Sequence, residues 1–260
     1  LADLLRRVVA DGIVAPGFAP GVAALLAAKK GGAFLVLEAD PDWVAPRLER
    51  RDVFGLTVEQ DADRRPITAG LLAGGDAPLP APVLRDALLG MVTARYTQSN
   101  SVVLVRDGMT LGVGAGQQSR VDCVRLAAGK TGAWWLRRHP HVRALAQVPG
   151  MSRQDRLNWQ LRLADGDMTD GQVAEFGRLF PGHDPVLDRA ERRSWAGLLS
   201  GVTLVSDGFL PFRDNIDHAS RAGVSHVVEP GGSSRSDEVA AACAEHGMTL
   251  SRTGLRLFRH

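Results

Sequence analysis

From Val202 onward the chain alternates short β-branched runs with helical stretches, and this alternation restricts the fold more than any other feature. The pattern predicts a strand from Val202 to Val205, a helix from about Phe212 to Ala222 and a strand from Val224 to Val228. A helix from Ser236 to His246, a strand from Met248 to Ser251 and a short final run from Leu255 to Phe258 follow. Strands separated by helices bury their apolar faces only in an α/β layered fold. Upstream, Ser101 to Arg106 and Met109 to Val113 read as strands joined by Asp107-Gly108, a strong hairpin turn. The second strand enters the glycine loop Gly114-Ala115-Gly116 and then a helix.

The first 80 residues differ in texture. Leu1 to Val9 reads as helix from its first residue, with neither a cap nor a methionine before it, which predicts that the chain begins inside a domain. Asp11 to Gly17 has the punctuation of a strand-end loop, Pro20 to Ala28 resumes a helix closed by Gly31-Gly32, and Phe34 to Glu38 reads as a buried strand. Residues 41 to 81 are rich in Pro, Gly and Asp around one strand at Val53 to Val58. A composition shift of this kind suits a connection between subdomains, so the boundary is set near residue 80. A helix then starts at Pro82, with Leu84, Leu88, Leu89 and Val92 on one face. Residues 131 to 200 read as mostly helical, with Pro140 and Pro149 as breakers and Trp134, Trp135, Trp159 and Trp195 as core bulk.

Composition narrows the function classes. The apolar fraction of 45% can fill a core, but no apolar run approaches the roughly 20 residues needed to span a bilayer. No export signal is visible, and the reading is of a cytoplasmic protein. Cys123 and Cys243 stand in unrelated contexts without a metal-ligand spacing, and no pair of the seven histidines has zincin spacing, so neither a disulfide framework nor a metal is expected. A net charge of +2 argues against nucleic acid as a partner.

Three loops stand out at predicted strand ends. Gly112, Gly114 and Gly116 lack the spacing of a dinucleotide loop, and Gly129-Lys130-Thr131 lacks the upstream glycine of a P-loop. The glycines could still expose backbone N–H groups to an anion beside Arg120 and Arg125, or form a plain tight turn. Ser206 to Asn215 gathers two aromatics, a proline, acids and an amide between a strand and a helix, where α/β sheets keep ligands; in the alternative, Phe209 and Phe212 plug the sheet end and Asp207 caps the helix. Gly231 to Asp237 offers another anion site, or an N-cap at Ser236. In the tail, Arg256, Phe258 and His260 would share one strand face, opposite Leu255 and Leu257.

Taken together, Tyr96 to Ser101, Gly114 to Arg120, Trp134 to Arg137, Pro211 to Asn215 and Leu255 to His260 resemble the aminoimidazole carboxamide ribonucleotide transformylase half of the bifunctional purine-biosynthesis enzymes, with Asp11 to Gly17 matching a further motif. The resemblance implies layered cytidine-deaminase-like α/β subdomains without zinc, the first (1–80) incomplete and the second spanning 81–260. It implies a homodimer, and formyl transfer from 10-formyltetrahydrofolate to the 5-amino group of the ribonucleotide. By motif position, Asn100 and His260 would serve catalysis, and Asp11, Arg120, Phe209, Asp214, Arg256 and Phe258 would hold the nucleotide. Pro211, Phe212 and Asn215 would lie on the folate side.

The departures matter as well. The family's adjacent Lys-His pair is absent, since no Lys-His dipeptide occurs in the chain. Leu210 and Arg259 replace an aromatic and a histidine. These differences keep three readings in play: a transformylase whose N-terminal part comes from another chain, a relative formylating another amine, and a subunit that binds nucleotide or folate without chemistry.

Overall fold

The structure is a computed structural model that describes residues 1–73, 78–146 and 148–258. Two compact units divide the chain, Leu1–Arg65 and Pro66–His260. The expected boundary near residue 80 falls inside the second unit. Ile67, Leu71 and Leu72 are apolar and pack with the apolar cluster of that unit.

In the first unit, helix α1 (Ala2–Arg7) leads into strand β1 (Gly12–Ala15), helix α2 (Val22–Ala27) and strand β2 (Leu35–Glu38). Lys29 closes the end of α1 by donating to the carbonyls of Leu5 and Val8 at 2.8 and 2.6 Å. The run expected to be a strand-end loop at Asp11 is therefore a strand, paired parallel with β2 from Gly12↔Leu35 to Ala15↔Glu38. A Cβ on Gly12 would lie 2.8 Å from the Leu35 Cβ, so the pairing needs glycine there. β2 is exposed rather than buried. Leu26 and Phe34 are the unit's only buried apolar side chains among the described residues, while Val14, Leu35 and Leu37 face outward.

The single strand expected at Val53 to Val58 is instead a hairpin of β3 (Leu48–Val53) and β4 (Leu56–Asp61). Its two-residue turn, Phe54-Gly55, has φ of 50° and 79°. Two-residue hairpins favour positive φ at both turn positions, which Gly55 adopts freely and Phe54 does not.

The second unit is built on a five-stranded sheet of order β6-β5-β7-β8-β9. Its strands are β5 (Ser101–Arg106), β6 (Met109–Ala115), β7 (Val202–Ser206), β8 (Val224–Glu229) and β9 (Thr249–Arg252). β5 pairs antiparallel with β6 and β7, whereas β7, β8 and β9 run parallel. Successive side chains of a strand point to opposite faces, and Val102 to Val105 are all fully buried, so both faces of the sheet are covered. Val103 and Val105 pack with α3 (Ala81–Arg95). Val102 and Leu104 pack with α4 (Arg120–Leu136), and further along the same cluster lie Ile216 and Val239.

The face of α3 that meets the sheet is centred on small residues, with Leu84, Leu88 and Leu89 of the leucine face read from the sequence partly buried against the same cluster. Ala87, Gly90, Met91 and Ala94 are buried and Val92 is exposed. A Cβ on Gly90 would come within 2.4 Å of Val205, so small residues set the helix-to-sheet distance. Buried Asp86 ties this helix to the β5–β6 turn by accepting from the backbone N–H groups of Asp107 and Gly108 at 2.8 and 2.7 Å.

Between β6 and β7 the chain is helical as expected, in α4, α5 (Pro140–Arg143), α6 (Arg153–Asp165), α7 (Asp170–Leu179) and α8 (Arg189–Ala196). Trp159 packs edge-on to Phe176 and Phe180 in a separate apolar cluster. Trp135 and Trp195 stack and exchange indole N–H···O=C bonds of 2.8 and 3.0 Å, which join α4 to α8. Two helices complete the second half, α9 (Asp214–Ser220) and α10 (Ser236–Glu245). Ser236 does not cap α10: it is the first helical residue, and its hydroxyl donates to the Ser233 carbonyl. The final run is no strand within residues 255–258, yet its alternation persists, with Leu255 and Leu257 buried and Arg256 and Phe258 exposed. No helix of the described residues is long and apolar enough to cross a membrane.

Candidate active site

Closely spaced glycines in β6 decide where α4 lies. A Cβ on Gly112 would sit 2.2 Å from the Ala127 carbonyl oxygen, and one on Gly114 would sit 1.9 Å from that of Cys123. These glycines therefore admit a helix backbone and do not cradle an anion. Gly116, with φ of 65°, makes the turn that follows, and its N–H donates to the carbonyls of Gln98 and Asn100.

That close approach carries Arg120, at the start of α4, under the end of β7. Its Nη1 pairs with Asp207 and donates to Ser206 Oγ at 3.1 Å, while its Nη2 donates to Asn100 Oδ1 at 2.8 Å. Asn100 Nδ2 in turn donates to the Gln117 carbonyl at 3.1 Å. The amide thus has both of its ends fixed. Ser99 Oγ donates to the other Asp207 carboxylate oxygen at 2.5 Å, and the Leu257 N–H donates to the Asp207 carbonyl at 2.8 Å. Asp207, read from the sequence as a possible helix cap, is instead fully buried at the centre of this network.

Gly208 completes the arrangement. A Cβ there would fall 2.4 Å from Arg120 Nη2 and 2.5 Å from Phe258 Cε1, so the glycine lets the C-terminal segment close over the arginine. Beyond it, the Arg256 guanidinium lies 6.0 Å from the Phe209 ring centre and 5.9 Å from that of Phe258. The loop turns through Pro211 and exposed Phe212 into α9, where buried Asn215 donates to the Phe212 carbonyl at 2.9 Å and to Asp214 at 3.0 Å. Asn215 Oδ1 is buried without a partner. Arg235 approaches the Phe212 ring from the loop before α10, at 5.0 Å.

Under this loop lies Glu229, the last residue of β8. Its side chain is fully buried, Oε2 accepts from the Leu210 N–H at 2.7 Å, and Arg252 stands 3.8 Å from Oε1. Burial pushes its pKa up, partly offset by the Leu210 N–H and the arginines Arg252 and Arg120. Neither Glu229 nor Ser99 is distinguished by the sequence reading. The one local signal is a carboxylate inside the apolar run Val227-Val228-Glu229 before Pro230, where burial is expected.

Of the residues expected at a site, Asn100, Arg120, Phe209, Arg256 and Phe258 form one connected group, and Pro211, Phe212, Asp214 and Asn215 form the adjoining loop. Asp11 belongs to the first unit, where it is highly exposed and pairs with Lys30, whose ammonium holds its carboxyl below the usual range. His260 and Arg259 lie outside the described residues. Among the described residues no cluster of three or more His, Cys, Asp and Glu side chains could hold a metal ion.

Residues 1–130, half of the chain, match the family model described as the AICARFT/IMPCHase bienzyme. Proteins from three strains of Cereibacter sphaeroides, each named bifunctional purine biosynthesis protein PurH, are 32% identical over all 260 residues. The chain spans 39% of the length of these relatives. The matched half places this chain in the AICARFT/IMPCHase bienzyme family.

Proposed function

We propose that the chain takes part in folate-dependent formyl transfer from 10-formyltetrahydrofolate to the 5-amino group of aminoimidazole carboxamide ribonucleotide. The observation that carries this reading is the joining of Asn100, Arg120 and Asp207 in one network beside Phe209, Arg256 and Phe258. Arg120 is committed to Asp207 and Asn100, so in this reading it orients the Asn100 amide toward a carboxamide. Arg256 has ring contacts but no carboxylate partner among the described residues, which suits it to a phosphate. The Phe209 and Phe258 rings offer faces to a flat heterocycle. The unpartnered Asn215 Oδ1 suits a folate N–H as acceptor.

Transfer forms a bond from the substrate nitrogen to the formyl carbon and breaks the bond from that carbon to the folate N10. The amine gives up a proton to a base, and N10 gains one. The amine lone pair is delocalised into the carboxamide-bearing ring, so a positioned base and oxyanion stabilisation are both required. His260 is one candidate for that base. A companion chain supplying the family's Lys-His pair is the other source, and a homodimer, the cytidine-deaminase-like layering and a cytoplasmic location belong to the same reading.

The test is to incubate the purified chain with both substrates and follow tetrahydrofolate release by absorbance. Turnover that Asn100→Ala lowers by about 10²-fold or more supports the reading. Absence of turnover, with nucleotide binding retained by calorimetry, favours the second reading, a non-catalytic binding subunit, which the missing Lys-His dipeptide motivates. Turnover only with a different amine marks a relative recruited to another substrate.

A further inference from the structure

At the opposite strand ends from the candidate active site, Thr203, His226 and Thr249 stand in register on neighbouring strands. Beside them opens a cavity of about 700 Å³, with Leu79 from the segment before α3, Val83 from its first turn, Cys243 from α10 and Arg252 from β9 also in its wall. Ligand pockets commonly span about 300 to 1,000 Å³ and combine apolar walls with a few fixed polar groups. His226 is 3% exposed, and its Nε2 has no hydrogen-bond partner.

One of its two tautomers lets the Thr249 hydroxyl serve both of its neighbours, and the inference is built on that tautomer. The Thr249 hydroxyl donates to the Ser225 carbonyl at 3.4 Å, which leaves that oxygen as the acceptor facing His226 Nδ1. The ring proton is then on Nδ1, and Nε2 carries a bare lone pair. Burial keeps the imidazole neutral at pH 7 by pushing its pKa down to about 4. In that tautomer His226, which lines the cavity, carries one buried acceptor that lacks a donor, and a buried acceptor left unpaired is costly.

We propose that this cavity is a second binding site, for a small apolar molecule carrying one N–H or O–H group that donates to His226 Nε2. The inference does not depend on formyl transfer, since of the groups described at the candidate active site only Arg252, beside Glu229, also reaches this wall.

Indole and benzofuran serve as probes, because they share shape and differ at the ring N–H. Both are titrated into the ¹⁵N-labelled 260-residue chain, with His226 assigned by the resonance missing from His226→Gln. The expected result is saturable indole binding that shifts the His226 Nε2 resonance, with benzofuran at least about tenfold weaker, the ratio one hydrogen bond of ordinary net strength gives. His226→Gln, where it folds, should alter the preference between the probes. Equal affinity for the two probes, indole binding that leaves Nε2 unmoved, or no saturable binding of either would overturn the proposal. The comparison in the unmodified chain decides the matter even where the variant does not fold.

Discussion

Arg120 and Asp207, 87 residues apart in sequence, form a buried ion pair whose side chains are 8% and 0% exposed. The pair anchors the start of α4 to the end of β7 and, through Asn100 and Leu257, fixes two further segments. Asp207→Asn leaves the arginine buried without its counter-charge, and breaking such a pair costs about 3 to 5 kcal/mol. Urea unfolding should show that loss, with a much smaller one for the double change Arg120→Met, Asp207→Leu, which removes both charges together.

Gly114 and Gly129 predict opposite outcomes for the same substitution. A methyl group at Gly114 would collide with the Cys123 carbonyl on α4, so Gly114→Ala should destabilise by about 1 to 3 kcal/mol or more. Gly129 lies inside α4 with open space where a Cβ would go, and Gly129→Ala should stabilise by about 0.5 to 1 kcal/mol through helix propensity. Thermal unfolding midpoints of the two variants would test the pair.

His226 predicts an acid-sensitive limb in stability. Its pKa falls from 6.5 to about 4 on burial, so between those values the unfolded chain binds more protons than the folded one. Stability should therefore fall as pH drops from 6.5 to about 4 and receive no further loss from this group below that. A shift of this size corresponds to about 3 kcal/mol. Unfolding free energies measured across the window should show a flatter dependence in His226→Gln than in the unmodified chain.

Glu229 acts in the other sense. Its folded pKa is raised above 4.5, so the folded state holds its proton longer and the group lowers stability as pH rises through and above that range. Glu229→Gln keeps an acceptor for the Leu210 N–H and removes the buried charge. It should leave stability unchanged or higher at pH 7, whereas Glu229→Ala, which leaves that N–H unpaired, should cost about 1 to 3 kcal/mol. Chemical denaturation at pH 5 and pH 8 separates the two variants.

Local patterns determined much of this protein. The β-branched runs and glycine turns marked the strands and helices of the second unit, because a strand covered on both faces needs consecutive apolar residues such as Val102 to Val105. The motifs around Asn100, Arg120 and Asp214 also marked the family. Sequence could not determine the roles of groups whose partners are distant along the chain. By sequence Gly112 and Gly114 suit an anion loop and Asp207 a helix cap, whereas in the fold α4 lies against the two glycines and Arg120 and Ser99 meet the carboxylate of Asp207. Likewise, the leucines of α3 are more apolar than its small residues, yet Ala87, Gly90 and Ala94 are buried more fully against the sheet, because the helix-to-sheet distance is set by what fits against Val205. Period and composition are properties of a segment, whereas close approach and charge pairing are properties of two segments brought together by the fold.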